Sequence, residues 1–232
     1  MRRAIFIFGL MAWFSGGSAR DAGAQTHIYS ELPHVGDGGS AQTVDGVAAR
    51  IEDDILTESE VQELGAFQQL VDGQKKPRLE LIRELADQWI IRGEANTAKF
   101  SQPPAEAVDR AYDQFVKQFP SPEEFQKRRE AAGLSEAGVR RMLREQLYLS
   151  SFLDYRFRPA AQVDDKQIEA YFNDEFAPQL KARGEAVPAL DDVEDTIREV
   201  LVQRAISDRA KKWLDETREH LKIDIVSQGS AS

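Results

Sequence analysis

The stretch VDGVAARIEDDILTESE, residues 44–60, decides the fold, because it holds a strand, a turn, a second strand and a helix start in one short run. Val47, Ala49 and Ile51 alternate with Ala48 and Arg50, the period of two that sets one group of side chains on a buried face. Asp53 and Asp54 supply turn chemistry, and Ile55 with Leu56 returns as a second strand. Thr57 and Glu60 then stand three apart, the spacing of a capping box in which each side chain satisfies a backbone N–H at the helix start. An isolated two-stranded hairpin is marginal in water, so this one needs a further partner. The run KIDIV at 222–226 offers it, with Ile223 and Ile225 alternating around Asp224. The expectation is that this late strand joins the early hairpin and closes the domain from both ends.

Between the two ends the pattern is helical. After the capping box, Val61, Leu64 and Val71 form one stripe with Leu70 beside it. A second helix is expected over about 77–99, with Leu79, Ile82, Leu85, Ala86 and Trp89 at three-and-four spacing and Ile90 widening the face. Past Pro103 and Pro104 a third carries Val108, Ala111, Tyr112, Phe115, Val116 and Phe119. Ser121, Pro122 and Glu124 open a short helix that ends at Gly133, and Ser135 caps a long one through Val139, Met142, Leu143, Gln146, Leu147 and Leu153. Asp164 and Gln167 start another, with Ile168, Tyr171, Phe172 and Phe176 on one face. The segment 177–189, with its Gly and Pro, reads as a connection, and Asp191 as the cap of a final helix through Val193, Ile197, Val200, Leu201, Trp213 and Leu214. The fold class expected is mainly α, a multi-helix module with a small sheet formed by the early hairpin and the C-terminal strand.

The flanks differ in composition. Arg2 and Arg3, then an apolar run over 4–14 and small residues over 15–24, have the three parts of a cleavable secretory signal, with cleavage after Ala19 or Ala24. The apolar run is too short to cross about 30 Å of hydrocarbon, and no later segment is apolar enough to do so. Residues 25–43 are rich in Gly and Ser without apolar periodicity and read as a flexible linker; residues 227–232 read as a polar tail. The domain proper is expected over 44–226. The whole chain carries a net charge of −10, and without residues 1–24 it has 27 basic against 39 acidic residues. That balance argues against nucleic acid or an anionic membrane surface as partner. There is no cysteine, hence no disulfide, thiol nucleophile, thiolate metal site or lipidated cysteine.

Catalytic patterns are scarce. His27 and His34 fall in the linker, and His220 at the last turn of the final helix, where the helix dipole favours a positive imidazole. No pair of histidines has metal spacing, and no serine sits in a nucleophile-elbow pattern. The acid pairs Asp53–Asp54, Asp164–Asp165 and Asp191–Asp192 stand where turns and caps want them. The reading is a non-enzyme without cofactor or metal. Aromatic residues are the stronger signal. Most belong to the core, but Tyr112, Phe115, Phe119, Leu149, Phe152, Tyr155 and Phe157 are the candidates for lining a groove that takes apolar segments of another polypeptide.

The order of elements is similar to a known family. Residues 44–60 resemble the opening of the SurA-like periplasmic chaperones, in which an aspartate-led strand, a turn and an I-L-x-S/T-E run precede the first helix. Residues 163–176 (VDDKQIEAYFNDEF) resemble the helix leading into that family's parvulin-type prolyl isomerase domain, and residues 189–226 the helix and strand that follow it. Family members carry about a hundred residues of isomerase between these segments, whereas here only 177–189 intervenes and no Gly-Gly-x-Leu-Gly stretch occurs. The resemblance therefore implies the chaperone module alone: a periplasmic, ATP-independent protein that binds unfolded polypeptides, outer-membrane precursors among them. The alternatives are an envelope adaptor that grips one dedicated partner, and a residual prolyl isomerase.

Overall fold

The computed structural model describes residues 45–227. The expected leader over 1–24, the expected linker over 25–43 and the expected tail beyond 227 lie outside the described residues.

The hairpin forms as β1 (Val47–Ile51) and β2 (Asp54–Thr57), paired antiparallel with Ile51 opposite Asp54 and Arg50 opposite Ile55. The late strand β3 (Ile223–Ile225) pairs antiparallel with the other side of β1, giving the strand order β2-β1-β3. The protein is thus mainly α with a small sheet closed from both ends of the chain. Strict alternation in β1 fails at one place. The register slips between Val47 and Ala49, and Ala48 and Ala49 are both buried. An extra residue in one strand breaks the period of two and bends the strand, and alanine is small enough to be enclosed on either face.

Thr57 caps α1 (Glu58–Asp72) with the reciprocal capping box complete. Then come α2 (Arg78–Thr97), α3 (Ala105–Val116), α4 (Pro122–Ala131) and α5 (Glu136–Phe157). Ser121 and Ser135 accept from the N–H groups of Glu124 and Gly138. Past α4, Gly133 adopts φ 72°, and its N–H and that of Leu134 reach back to Glu130 and Arg129, closing the helix with a left-handed turn. After a short 3-10 turn, α6 (Asp165–Tyr171) starts on a second complete capping box, Asp164 with Gln167.

Three expectations about the helices need correction. The segment 177–189 is not all connection: α6 runs through a π turn (Phe172–Phe176) directly into α7 (Ala177–Ala182), leaving only residues 183–189 as the link. Pro178 was the misleading residue. Its ring would meet the carbonyl four residues back in a regular α-helix, and the wider turn, in which Ala177 N–H reaches Phe172 O, accommodates it. Secondly, Asp191 does not cap α8 (Leu190–Arg218). The cap position is Ala189, and Asp191 and Asp192 lie in the first turn, where their negative charge complements the positive end of the helix dipole. Thirdly, Leu79 is not on the buried stripe of α2 but 43% exposed, and Leu81 takes the inward position. The helix begins at Arg78, whose guanidinium pairs with Glu58 and sets the phase of the first turn.

The core has three parts. One lies under the sheet, where Ala49, Ile51 and Leu56 meet Val61 and Leu64 of α1 and Ile82 and Leu85 of α2. A second packs Ile90 and Ile91 of α2 against Tyr148, Phe152 and Leu153 of α5 and Ala210 and Leu214 of α8. The third joins Phe67 and Leu70 of α1, Phe115 of α3, Phe125 of α4 and Val139 and Leu143 of α5. Trp89 touches the first two parts and Met142 the first and third, so α2 and α5 are the members on which the rest is hung. α6 packs against α8, where Arg204 spans both oxygens of Glu175 in the π turn at 2.8 and 3.0 Å and Arg198 meets Asp165 at 3.0 Å.

Candidate functional site

The seven candidate residues do not form one groove. They divide between two of the core parts, and most face inward.

Tyr112, Phe115 and Phe119 belong to the third core. Phe115 is buried and stacks on Phe67 with ring centroids 5.7 Å apart. Phe119 lies just past the end of α3 and meets Phe125 edge-on at 5.1 Å. Tyr112 meets Phe125 edge-on at 5.9 Å and carries the Arg140 guanidinium 4.0 Å over its ring. Arg128 sits 5.8 Å over Phe119. Edge-on and stacked rings of this kind add about 0.5–1.5 kcal/mol per pair beyond burial. The two arginines roof the half-buried rings, so this cluster joins α1, α3 and α4 and offers little bare surface.

Leu149, Phe152, Tyr155 and Phe157 belong to the second core. Leu149 and Phe152 are buried between α2 and α8, which corrects the expectation that they line a groove. Helix periodicity alone gives α5 a single stripe, yet this helix packs against α1 and α3 along its first half and against α2 and α8 along its second, so its inward face turns with position. Tyr155 is different: it is 64% exposed, with its ring 5.4 Å from Phe100 and 6.5 Å from Phe152. Phe157 lies 5.8 Å from Trp213 of α8, and Arg156 covers both rings at 5.6 and 4.8 Å. The end of α5 therefore presents an aromatic shelf, Tyr155 over Phe100, beside a pair of rings roofed by a cation.

Phe100 is the member of this shelf that sequence reasoning missed. Lys99 adopts φ 53°, and the N–H groups of Lys99 and Phe100 bond back to Asn96 and Ala95. This left-handed ending swings Phe100 back against α5. The sequence signal is weak, because glycine, the usual residue for such a turn, is absent there.

Among the described residues the other large apolar side chains that stand well exposed are Ile55, Leu79 and Ile225, each on a different element. A shallow groove of about 390 Å³ runs between α1, the loop before α2 and the end of α4. Gly65, Ala66, Ala131 and Ala132 line it, with Lys75, Lys76 and Arg78 among its walls, and none of the seven candidates does. Two of its cations are paired, Arg78 with Glu58 and Lys76 with Glu84 at 3.5 Å.

Among the described residues, buried acids occur in one place. Asp87 on α2 is only 4% exposed and faces Arg218 at the end of α8, with Oδ1 2.8 Å from Nε. The two atoms are close but poorly aligned, so neither completes a hydrogen bond. Burial outweighs the attraction of Arg218 and pushes the Asp87 carboxyl up to about 6. One turn earlier Glu84 is also raised by burial, against the opposing hydrogen bond from Gln68 and the charge of Lys76. These groups tie α1, α2 and α8 together. His220 is exposed in the turn after α8. Among the described residues no three acids or histidines converge as a metal site would need, and no helix is long and apolar enough to cross a membrane.

No protein-family model matches this chain, and no curated protein matches it.

Proposed function

We propose that the chain is an ATP-independent chaperone of the cell envelope that holds unfolded polypeptides, outer-membrane precursors among them. The observation that carries the proposal is Tyr155, a large ring left mostly in solvent on an aromatic base, which suits the apolar segments an unfolded chain exposes. Two further points support it. The order of elements resembles the SurA-like chaperones, and residues 183–189, within the stretch where those relatives carry an isomerase domain, form the turn between α7 and α8. The charged leader pattern over 1–24 supports export to the periplasm, where the protein is expected to be recovered beginning after Ala19 or Ala24.

Light scattering from an aggregating unfolded protein tests the reading. Suppression without nucleotide at a few-fold excess is the expected result, and undiminished aggregation would overturn it. Tyr155→Ala is expected to weaken the suppression while leaving the melting temperature nearly unchanged, because the ring is mostly exposed. A second reading, an adaptor for one dedicated envelope partner, is favoured by the scatter of Ile55, Leu79, Tyr155 and Ile225 over separate elements. Co-purification separates the two: a single stoichiometric protein supports the adaptor, a spread of unfolded clients the chaperone.

A further inference from the structure

The three-stranded sheet has two edges, and they differ. In antiparallel pairing, the backbone groups of alternate residues point to opposite sides of a strand. Glu52 N–H donates to Lys222 O and Val226 N–H to Ala48 O, both at 3.0 Å, so residues 222, 224 and 226 face β1. Ile223 and Ile225 therefore turn their N–H and C=O groups outward, where β3 is the last strand of the sheet among the described residues. The opposite edge is blocked at one of its two outward positions. The same alternation leaves Ile55 and Thr57 outward on β2, but Thr57 N–H is held by Glu60 Oε2 at 2.8 Å and the chain passes straight into α1.

We propose that the free edge of β3 takes up an extended polypeptide segment as a fourth strand, with apolar residues alternating with polar ones and a basic residue opposite Asp224. This rests on the reading of the chain as a polypeptide-binding protein and specifies how that binding is made. Two cross-strand rows define the chemistry of the incoming strand. Leu56, Ala49 and Ile225 form a row on the inner face, and Ile225 at its open end is 42% exposed, so the next strand sets an apolar side chain beside it. Ile55, Arg50 and Asp224 form the outer row, in which Arg50 flanks the carboxylate on one side, and a cation in the next strand would flank it on the other. Lys222, 3.4 Å from Asp224, only partly answers that charge, being itself open to solvent. Pairing through the backbone tolerates varied sequences, as a holder of unfolded chains requires. A second copy fits less well. With Ile223 opposite Ile225 of the other copy, the two Asp224 carboxylates come face to face, and each chain carries a net charge of −10.

Amide exchange followed by NMR on the full chain, with a peptide of alternating valine and lysine as probe, tests the proposal. Slower exchange at Ile223 and Ile225 is expected, and much less of it with a valine–glutamate peptide. Ile225→Pro removes only an outward N–H and leaves the pairing of Asp224 with Arg50 in place, so it is expected to bind the probe about tenfold more weakly. Should that variant fold poorly, Ile225→Lys keeps the N–H, sets a charge where the probe's valine needs an apolar neighbour, and is expected to weaken binding as well. Probe binding without slowing at these two amides, or no probe binding, overturns the proposal. So does slowing that follows the protein's own concentration without peptide, which assigns the edge to a second copy. The two readings fail separately. If Ile225→Pro still suppresses aggregation and the edge ignores the probe, the chaperone stands and the edge falls; if the edge binds but aggregation proceeds, the chaperone falls and the edge stands.

Discussion

Nothing in the run ADQWII at 86–91 warns that Asp87 is buried, since an acid beside a tryptophan on an amphipathic helix ordinarily sits at the solvent boundary. Its burial follows from α8, which crosses α2 at this point and brings Arg218 onto it. The carboxyl titrates near 6 in the fold against 3.8 ordinarily, so protons bind the folded chain more tightly than the unfolded one. The stability owed to this group is therefore complete below about pH 3.8 and is lost as the pH rises through about 6. Asp87→Asn should remove that loss. Relative to the parent chain, the variant is expected to gain up to about 3 kcal/mol more at pH 8 than at pH 4, read from denaturant unfolding at both pH values. Arg218 keeps Asp215 at 2.7 Å, so the substitution does not strand it. Parallel pH curves for the two proteins would contradict this account.

At the scale of elements, starts were more legible than stops and partners. The two capping boxes, Thr57 with Glu60 and Asp164 with Gln167, need only residues three apart, and both form. Thr57→Ala is expected to cost about 1 kcal/mol, seen as a lower urea midpoint with an unchanged slope. The two strands at 47–57 and the strand at 223–225 were equally readable, because alternation is local. The continuation of α6 into α7 was not, since the π turn that admits Pro178 depends on bonds five residues apart that leave no mark in composition. The inward face of α5 was half legible for a similar reason. Val139 and Leu143 follow from periodicity, whereas the burial of Leu149 and Phe152 depends on α2 and α8 arriving from distant parts of the chain. The candidate site suffered most from this: of the seven aromatic and apolar residues expected to line a groove, only Tyr155 stands mostly in solvent.

For the whole molecule, the closing of the sheet by β3 was the long-range feature that sequence did foretell, on the argument that a lone hairpin needs a third strand. Removal of the chain after Leu221 deprives β1 of its second partner and Ile223 of its place against the first core. A fall in melting temperature of roughly 5–10 °C is expected by circular dichroism, corresponding to about 3 kcal/mol for a chain of this size. An unchanged transition would mean that the helices hold the domain without the sheet.

The position of β3 also governs timing. A chain that emerges N-terminus first makes β1 early, yet β1 waits for its second neighbour through the appearance of all eight helices. Joining segments so distant in sequence is slow, since the closure entropy of the whole intervening loop opposes it until the helices have shortened the path. The central strand is therefore open on one side for as long as the chain is incomplete. A product cut short anywhere before residue 222 carries that open strand permanently, a template for aggregation and a mark for proteolysis. Sheet closure is in this sense a measure of length: only a chain that has reached its last strand can cover both sides of its first.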